Sequence, residues 1–388
     1  MRTSTTLLAV LLVLTAGVAP AAAGGPAVGS TSDALATGAS AAATSQHECS
    51  FPFTATDATG TEVTIEEPPE RVTTLGPSAA QTMWEIGGKP QVVGLDQYAT
   101  YLEGAESRTN VSAGGFGYSV ETVVGTEADL VLAANVAPDD TIAKLREAGM
   151  TVYKFEAATS IEAVAEKTTM TGKLTGNCEG AAEANKWMMQ NVETARDVTA
   201  GEDSPRALAP LGSGYVVGDE TFVDSVLTAA GGENVAARNA TGYPQLSDEL
   251  ILELDPEILV LQPWMEMAGL ANQEPYASTT AGEQNATVVV NANYLNQPAP
   301  RSVVYATWNL TEGFHPDAFA SAEWTARSEV TLETETPTPT ETATPTEVVD
   351  DTEPTTETTE TTTDGPGFGV GAVVAALALG SVLLSRRE

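Results

Sequence analysis

The sequence is poor in basic residues, histidine and cysteine, and each shortage excludes a class of function. Only 17 of 388 residues are Lys or Arg, against 53 Asp or Glu, so the formal net charge is −36 at pH 7. Nucleic-acid binding requires a basic face, and we expect no nucleic-acid partner. Residues 329–364 hold 11 of the acidic side chains. The excess therefore belongs mainly to the body, as in proteins kept soluble in high salt.

Groups for catalysis and metal binding are scarce as well. His47 lies in an Ala/Gly/Ser/Thr-rich lead-in, and His315 stands alone near the end of the predicted fold. The chain has no metal-spaced His/Cys cluster, Walker loop or nucleophile elbow. Gly231-Gly232 is placed to end a helix rather than to cradle a phosphate. We therefore predict that the protein is not an enzyme and has no cofactor and no metal site.

Both ends of the chain carry processing signals. Arg2, an apolar run from Leu7 to Val18 and small residues through Ala23 are typical of a secretory signal peptide. At the other end, a Thr/Glu/Pro-rich stretch predicts a disordered stalk. Pro366-Gly367-Phe368, an apolar run and two arginines follow it, and they resemble the PGF-type sorting signal of archaeal surface proteins. Cleavage and lipidation there, or a retained membrane tail, would each leave the folded body outside the cell.

The composition divides the chain into seven predicted segments. With the acidic body, the C-terminal signal favours a halophilic archaeal source. The segments are a signal peptide (1–23), a flexible lead-in (24–47), a first α/β lobe (48–157), connecting helices (158–200), a second α/β lobe (201–328), the stalk (329–364) and the sorting signal with its apolar segment (365–388).

The export signal bears on the cysteines and the sequons. Cys49 and Cys178 are the only cysteines; an exported protein favours a disulfide, although two buried free thiols remain an alternative. Candidate glycosylation sites begin the four N-x-Ser/Thr sequons, at Asn110, Asn239, Asn285 and Asn309.

Strand and helix patterns alternate along the body, which predicts an α/β fold of two lobes with mostly parallel sheets. A hairpin is expected over residues 54–65, around Thr59-Gly60. The predicted strands are 72–75, 92–95, 130–133, 151–155, 207–211, 215–217, 258–261 and 287–290. The predicted helices are 77–86, 138–148, 161–174, a long one starting near 179, 221–230 and 298–311. Trp84, Trp187 and Trp308 fall inside helical patterns and are read as core.

One motif occurs in both halves. Ser119 and Ser247 each precede a predicted helix, with Glu121 and Glu249 in its first turn, and each next strand starts 11 residues after the serine. Serine is a good N-cap, and the interaction of a first-turn glutamate with the helix dipole stabilises the helix by about 0.3–1 kcal/mol. A structural role therefore explains either glutamate alone. A matched pair, one in each lobe, also suits two symmetric docking contacts.

The order of the short motifs across residues 50–315 resembles the solute-binding proteins of ABC importers for vitamin B12, ferric siderophores and haem. The matching pieces are Asp57-Ala58-Thr59-Gly60, Pro69-Glu70-Arg71-Val72, Gly94-Leu95, Ala128-Asp129-Leu130-Val131, Gly218-Asp219-Glu220-Thr221, Gly231-Gly232-Glu233-Asn234, Pro244-Gln245-Leu246 and Asp255-Pro256-Glu257-Ile258, together with the two serine motifs. The resemblance implies two lobes joined by a rigid helix, with a small-molecule ligand between them. It also implies that Glu121 and Glu249 meet arginines of the importer permease, and that the protein acts as a monomer at the cell surface.

Aromatic side chains after the strands are the candidate ligand contacts, because ligands of such folds bind at strand ends and aromatic faces suit a flat, partly apolar ligand. They are Tyr98, Tyr101, Phe116, Tyr118, Tyr215, Tyr243, Trp264 and Tyr294, with Asn293 beside the last. Core packing is an equal alternative for any one of them.

The sequence departs from the vitamin B12-binding pattern at two tryptophan positions, which hold Gly115 or Phe116 and Ala134. Cobalamin, a ferric siderophore and haem are therefore all open as ligands. A surface sensor or structural protein with the same fold is the alternative function, and a metal chelatase is a more distant one.

Overall fold

A computed structural model of the protein describes residues 48–115 and 117–332. Phe116, the export and lead-in segments up to residue 47, and the predicted stalk and sorting signal from residue 333 onward lie outside the described residues. The strands are β1 Phe53–Thr56, β2 Glu62–Ile65, β3 Val72–Leu75, β4 Val92–Leu95, β5 Thr109–Asn110, β6 Leu130–Ala133, β7 Val152–Lys154, β8 Arg206–Leu208, β9 Pro210–Gly212, β10 Tyr215–Val216, β11 Glu233–Asn234, β12 Ile258–Leu261 and β13 Thr287–Val289. The helices are α1 Pro77–Glu85, α2 Val120–Gly125, α3 Asp139–Glu147, α4 Ile161–Thr175, α5 Cys178–Thr199, α6 Phe222–Ala229, α7 Asp248–Leu254, α8 Pro263–Met267, α9 Thr280–Gln284, α10 Ala292–Leu295, α11 Pro300–Phe314 and α12 Pro316–Ser321.

Two parallel sheets form the two lobes, which confirms the predicted α/β fold. The first sheet has the strand order β5-β4-β3-β6-β7, and the second has the order β11-β8-β12-β13. All pairings in both sheets are parallel. The central strand β3 is wholly buried, as expected for a sheet covered by helices on both faces. Two antiparallel pairs, β1-β2 and β9-β10, lie outside these sheets.

Helices α4 and α5 connect the lobes and pack against each other. The 22-residue α5 buries Ala181, Ala184, Met188, Val192 and Ala195 along one stripe, following the steps of three and four predicted from the sequence. Part of that stripe packs in the first-lobe core and part in the second-lobe core. One rigid element thus contributes to both hydrophobic cores.

The tail of the body folds back over α5. Trp187 and Asn191 both donate side-chain hydrogen bonds to the Thr325 carbonyl, at 2.9 and 3.0 Å. The side chain of Val330 is buried in the second-lobe core. At the first residue of α5, Cys178 is joined to Cys49 by a disulfide, so both ends of the described chain are attached to the connecting helix.

Several predicted boundaries differ from the structure. The expected strand 207–211 is divided into β8 and β9, because Ala209 lies between two separate sheets. Helix α11 begins and ends later than predicted, at Pro300 and Phe314. Trp187 is buried as expected, whereas Trp84 and Trp308 are half-buried.

Candidate functional site

The loops that follow the parallel strands place the candidate ligand residues. Parallel strands end at one edge of a sheet, and ligands of open α/β sheets bind outside that edge. In the first lobe Tyr98 follows β4 and Tyr118 follows β5; in the second Trp264 follows β12. Tyr215 lies in the hairpin that follows β8, and Tyr243 follows β11. We call the loop residues around Tyr98 and Tyr118 the first-lobe wall, and those around Tyr215, Tyr243 and Trp264 the second-lobe wall.

The first-lobe wall is built around Asp96 at the end of β4. Asp96 is buried, and its carboxylate accepts a 2.7 Å hydrogen bond from the Tyr98 backbone N–H, which fixes the turn that carries Tyr98. Burial raises the pKa of Asp96, against hydrogen bonds from the backbone N–H groups of Tyr98, Gly76 and Ala99. Burial likewise raises the pKa of Tyr118 above its usual range, and the charge of Asp96 acts in the same direction. The Tyr118 phenol therefore stays protonated at neutral pH.

A close backbone approach explains the small residues of this wall. Gly76, between β3 and α1, has φ of 116°, and a Cβ placed on it would lie 2.6 Å from the Cβ of Ala134. Residues with a side chain rarely adopt this φ, and the contact leaves no room for one. Ala134 is itself buried. The turn at Gly76 thus occupies the space beside position 134, which is consistent with alanine rather than tryptophan there.

The second-lobe wall presents three half-exposed aromatic side chains. Tyr215, Tyr243 and Trp264 are 46%, 56% and 51% exposed, close to the 42% of Tyr98 in the other lobe. Trp264 donates from Nε1 to Gln262 Oε1 at 3.0 Å. Its ring also lies 3.6 Å from where a Cβ on Gly212 would be. Large aromatic surfaces that are held in place yet left in solvent are typical of binding sites.

Two wall residues were missed by the sequence analysis. Val136, three residues after β6, is 67% exposed, and Met267, at the end of α8, is 82% exposed. Each follows a strand in the same way as Tyr98 and Trp264 do. The available signal was an apolar side chain just beyond a strand end, which the search for aromatic residues passed over.

Three further candidates, Tyr101, Asn293 and Tyr294, also follow strands, but they contact neighbouring residues of the body. The Tyr101 hydroxyl donates to Gln297 Oε1 and accepts from Gln81 Nε2, both at 2.6 Å. Burial raises the pKa of Tyr101 to about 12. The Asn293 carbonyl accepts from the Ser302 hydroxyl of its own lobe at 3.1 Å and from Gln81 Nε2 of the first lobe at 3.5 Å. Tyr101 and Asn293 therefore belong to a contact between the lobes.

Tyr294 packs against Tyr305, with ring centroids 5.1 Å apart, at the edge of the second-lobe core. Tyr294 is half-buried, so packing on the core accounts for part of its surface. Phe116 is outside the described part of the chain.

The described wall loops hold two cations, Arg108 and Arg238. Arg108 donates to the Lys89 carbonyl at 3.1 Å, and Arg238 forms an ion pair with Glu233. The same loops carry acidic side chains: Asp96 is buried, whereas Glu266, between Trp264 and Met267, is exposed. The walls therefore combine aromatic faces with an acidic rim.

Glu121 and Glu249 lie on the surface in equivalent settings. Ser119 caps α2 by accepting from the Thr122 N–H, and Ser247 caps α7 by accepting from the Leu250 N–H. Both glutamates are exposed in the first turn of their helix. Hydrogen bonds from its own backbone N–H and from the Ser247 hydroxyl lower the pKa of Glu249. The two helices thus present one carboxylate from each lobe to solvent.

Two surface grooves lie apart from the exposed aromatic residues. Grooves of about 580 and 590 Å³ lie beside Arg146 and beside Asp224, and none of the exposed aromatic residues lines them. Within residues 48–115 and 117–332, no group of three or more His, Cys, Asp or Glu side chains could hold a metal ion. No helix in that part of the chain is long and apolar enough to cross a membrane.

The sequons differ in accessibility. Asn110, Asn239 and Asn285 are exposed, whereas Asn309 is half-buried within α11 and its partner Thr311 is wholly buried. Three of the four candidate sites are therefore open to modification in the folded protein.

Comparisons with known proteins agree with the two-lobe α/β fold. A family model described as "Periplasmic binding protein" matches residues 72–294. A cobalamin-binding protein of Halobacterium salinarum is 44% identical over 278 residues, which cover 69% of this chain and 75% of that protein. A vitamin B12-binding protein of Yersinia pestis is 25% identical over 61% of this chain and 84% of its own.

Solved structures share the fold. The periplasmic vitamin B12-binding protein of Vibrio cholerae aligns with a TM-score of 0.56 at 22% identity, over 64% of this chain and 97% of its own. A periplasmic haem-binding protein in complex with two haems aligns with a TM-score of 0.57 at 25% identity, over 64% of this chain and 100% of its own. Relatives of one architecture thus bind different flat macrocycles.

Proposed function

Because the chain belongs to the periplasmic binding protein family, we propose that it is an extracellular solute-binding protein that captures a corrinoid or an iron chelate and delivers it to an ABC importer. The observation that carries the proposal is the pair of walls at the strand ends of the two lobes. Four half-exposed aromatic side chains, Tyr98, Tyr215, Tyr243 and Trp264, offer flat apolar faces. Such faces suit a large planar ring that presents both of its sides to protein.

The charges of the walls favour a corrinoid over haem. A haem carries propionate carboxylates, which bind best beside Arg or Lys. Here the two cations of the described wall loops are engaged, Arg108 with the Lys89 carbonyl and Arg238 with Glu233, and the exposed Glu266 is acidic. A corrin ring instead carries primary amides, which donate to carboxylate and phenol oxygens. The 44% identical cobalamin-binding protein supports the same choice.

Ligand titration tests this proposal. Trp264 is the most exposed tryptophan of the described chain, so a corrinoid bound against it should quench intrinsic fluorescence. We expect cyanocobalamin to quench in a saturable way, and haemin and a ferric siderophore to do so weakly or not at all. Saturable binding of haemin or the siderophore alone would overturn the corrinoid assignment, and no response to any of the three would overturn the ligand class.

Replacing Trp264 with alanine is expected to weaken cyanocobalamin binding by about 2 kcal/mol, or ~30-fold, because large aromatic anchors carry much of the binding energy. Isothermal titration calorimetry measures the change. Leu252→Ala is the matched control, since Leu252 is also an exposed apolar residue but lies on α7 and outside the walls. Equal affinities of the Trp264→Ala variant and the wild type would contradict the proposed wall.

We also assign the protein to the cell surface, tethered by the segment that follows residue 332. The disulfide between Cys49 and Cys178 supports export, because such bonds persist in oxidising compartments. Glycosylation at Asn110, Asn239 and Asn285 remains part of this proposal, with Asn309 the poorest candidate acceptor.

Ending the chain after residue 332 is expected to release the protein from cells into the medium in folded form. Within the described residues, the last contact of the tail with α5 is made by Thr331, whose carbonyl accepts from Lys186. Immunoblots of cell and medium fractions measure the release, with the full-length chain as control. A truncated chain that stays with the cells would contradict the tether.

A further inference from the structure

One face of α1 is a buried polar stripe that contacts the other lobe. Ser78, Gln81 and Glu85 are spaced at i, i+3 and i+7, which places them on one side of the helix, and all three are buried. Polar groups are costly to bury unless they are hydrogen-bonded. Each of the three is paired with a residue outside the first-lobe sheet and its helices.

Gln81 is the centre of this stripe and is fully enclosed. Its Oε1 accepts from the Ser302 backbone N–H, with the Ser302 hydroxyl also at 3.0 Å. Its Nε2 donates to the Tyr101 hydroxyl, which in turn donates to Gln297 Oε1. Both ends of one amide are therefore bonded, and both lead to residues of the second lobe.

The flanking contacts are less restrictive. Lys167 Nζ donates to the Ser78 hydroxyl and to the Pro298 carbonyl, both at 2.9 Å, and burial lowers its pKa to about 7. Glu85 pairs with Arg301, whose side chain is 29% exposed. Flexible lysine and arginine side chains follow a small rotation of the lobes, since they have several rotatable bonds. A buried amide that is hydrogen-bonded at both ends cannot follow such a rotation without losing a bond.

We propose that Gln81 is the positioning residue that fixes the spacing of the two ligand walls. In the first lobe, Tyr98 is three residues before Tyr101, which bonds Gln297. In the second lobe, Trp264 is two residues after Gln262, whose Nε2 donates to Oδ1 of Asn296, the residue before Gln297, at 3.2 Å. A change at Gln81 is thus transmitted to both walls although Gln81 itself is buried away from them. This inference rests on the proposed function, because it supposes that ligand binds between those walls.

The test measures lobe spacing directly. Cysteines introduced at Glu147 on α3 and Glu253 on α7, both exposed, accept spin labels. No free cysteine competes within the described residues. Pulsed electron paramagnetic resonance then gives the distribution of distances between the lobes in the full chain. We expect Gln81→Met, which keeps the volume but removes the hydrogen bonds, to broaden or shift that distribution, and to weaken cyanocobalamin binding by about tenfold.

Thr82→Val is the matched control. Thr82 is equally buried on α1, but its hydroxyl bonds only the Ser78 carbonyl of its own helix. An unchanged distribution in folded Gln81→Met protein, or an equal change in Thr82→Val, would overturn the proposal. If Gln81→Met does not fold, Tyr101→Phe removes the bonds of the Tyr101 hydroxyl to Gln81 and Gln297 but keeps the Ser302 bonds to Gln81. It should give a smaller change in the same direction, and no change there also overturns the proposal.

The two outcomes of the experiment are separable. The distance distribution does not depend on the ligand, so a change in spacing supports the role of Gln81 even where cyanocobalamin does not bind the wild type. Absence of cyanocobalamin binding with altered spacing would count against the corrinoid assignment only. Altered spacing with unaltered cyanocobalamin affinity would refute the link from Gln81 to the walls.

Discussion

Replacing Glu121 and Glu249 together with alanine is expected to reduce ligand uptake to the level of cells that lack the protein, while ligand affinity stays unchanged. Both carboxylates are exposed at the first turn of a capped helix, one in each lobe, and neither lies on the ligand walls. Cationic partners on an importer would be left without their anions, and loss of complementary charges weakens docking and slows association. Uptake of radiolabelled cobalamin by cells and binding by purified protein measure the two effects.

Each single substitution should give a partial loss of uptake, because the glutamate of the other lobe keeps its contact with the importer. The matched control is the double variant Glu147→Ala and Glu253→Ala, which removes the same charge from exposed positions of the two lobes. Uptake that survives in the Glu121/Glu249 variant, or that falls equally in the control, would refute the docking role. Normal binding with lost uptake would separate delivery from capture, and it would also argue against a purely structural surface protein.

Replacing Cys49 and Cys178 with serine is expected to lower the free energy of unfolding by about 4 kcal/mol, near the upper end of the usual range. The bridge closes a loop across a sequence separation of 129 residues, and long loops lose the most entropy when they are closed. It joins the start of the body to the first residue of α5, which contributes to both cores. Without the bridge, the unfolded chain regains that freedom.

Urea unfolding of the oxidised, reduced and serine-substituted proteins, all at one salt concentration, measures the difference. The reduced wild type is the control, since it lacks the bond without a change of sequence. Both unbridged forms should unfold at lower urea and still bind ligand in the absence of denaturant, because none of the wall aromatic residues lines the groove beside the bridge. Equal stability of all three forms would contradict the structural role of the bridge.

Much of the fold could be predicted because its signals are local. Strands β3, β4, β6 and β12 have the predicted bounds, since short apolar runs between turn residues need no distant partner to be recognised. The serine caps of α2 and α7 occur as expected. Strand β5 and helices α8 to α10 are two to five residues long. Segments that short lack a detectable period, and only their neighbours hold them in place.

The candidate site was predictable as a set of residues but not as a geometry. Tyr98 and Tyr101 lie three positions apart after the same strand, yet Tyr98 is half-exposed and Tyr101 is hydrogen-bonded between the lobes. Tyr294 packs on the core although it is the same residue type as Tyr215 and Tyr243 on the wall. Side-chain chemistry alone does not distinguish these roles.

The sequence by itself determined the two-lobe α/β class, the long connecting helix and the pair of capped glutamates, because hydrophobic periodicity and capping act over a few residues. Only the tertiary structure decided which aromatic side chains face solvent and which residues join the lobes. Gln81 and Ser302 are 221 positions apart, and no local pattern marks them as partners. Their contact depends on how the two lobes pack, and in our proposal that packing sets the width of the ligand site.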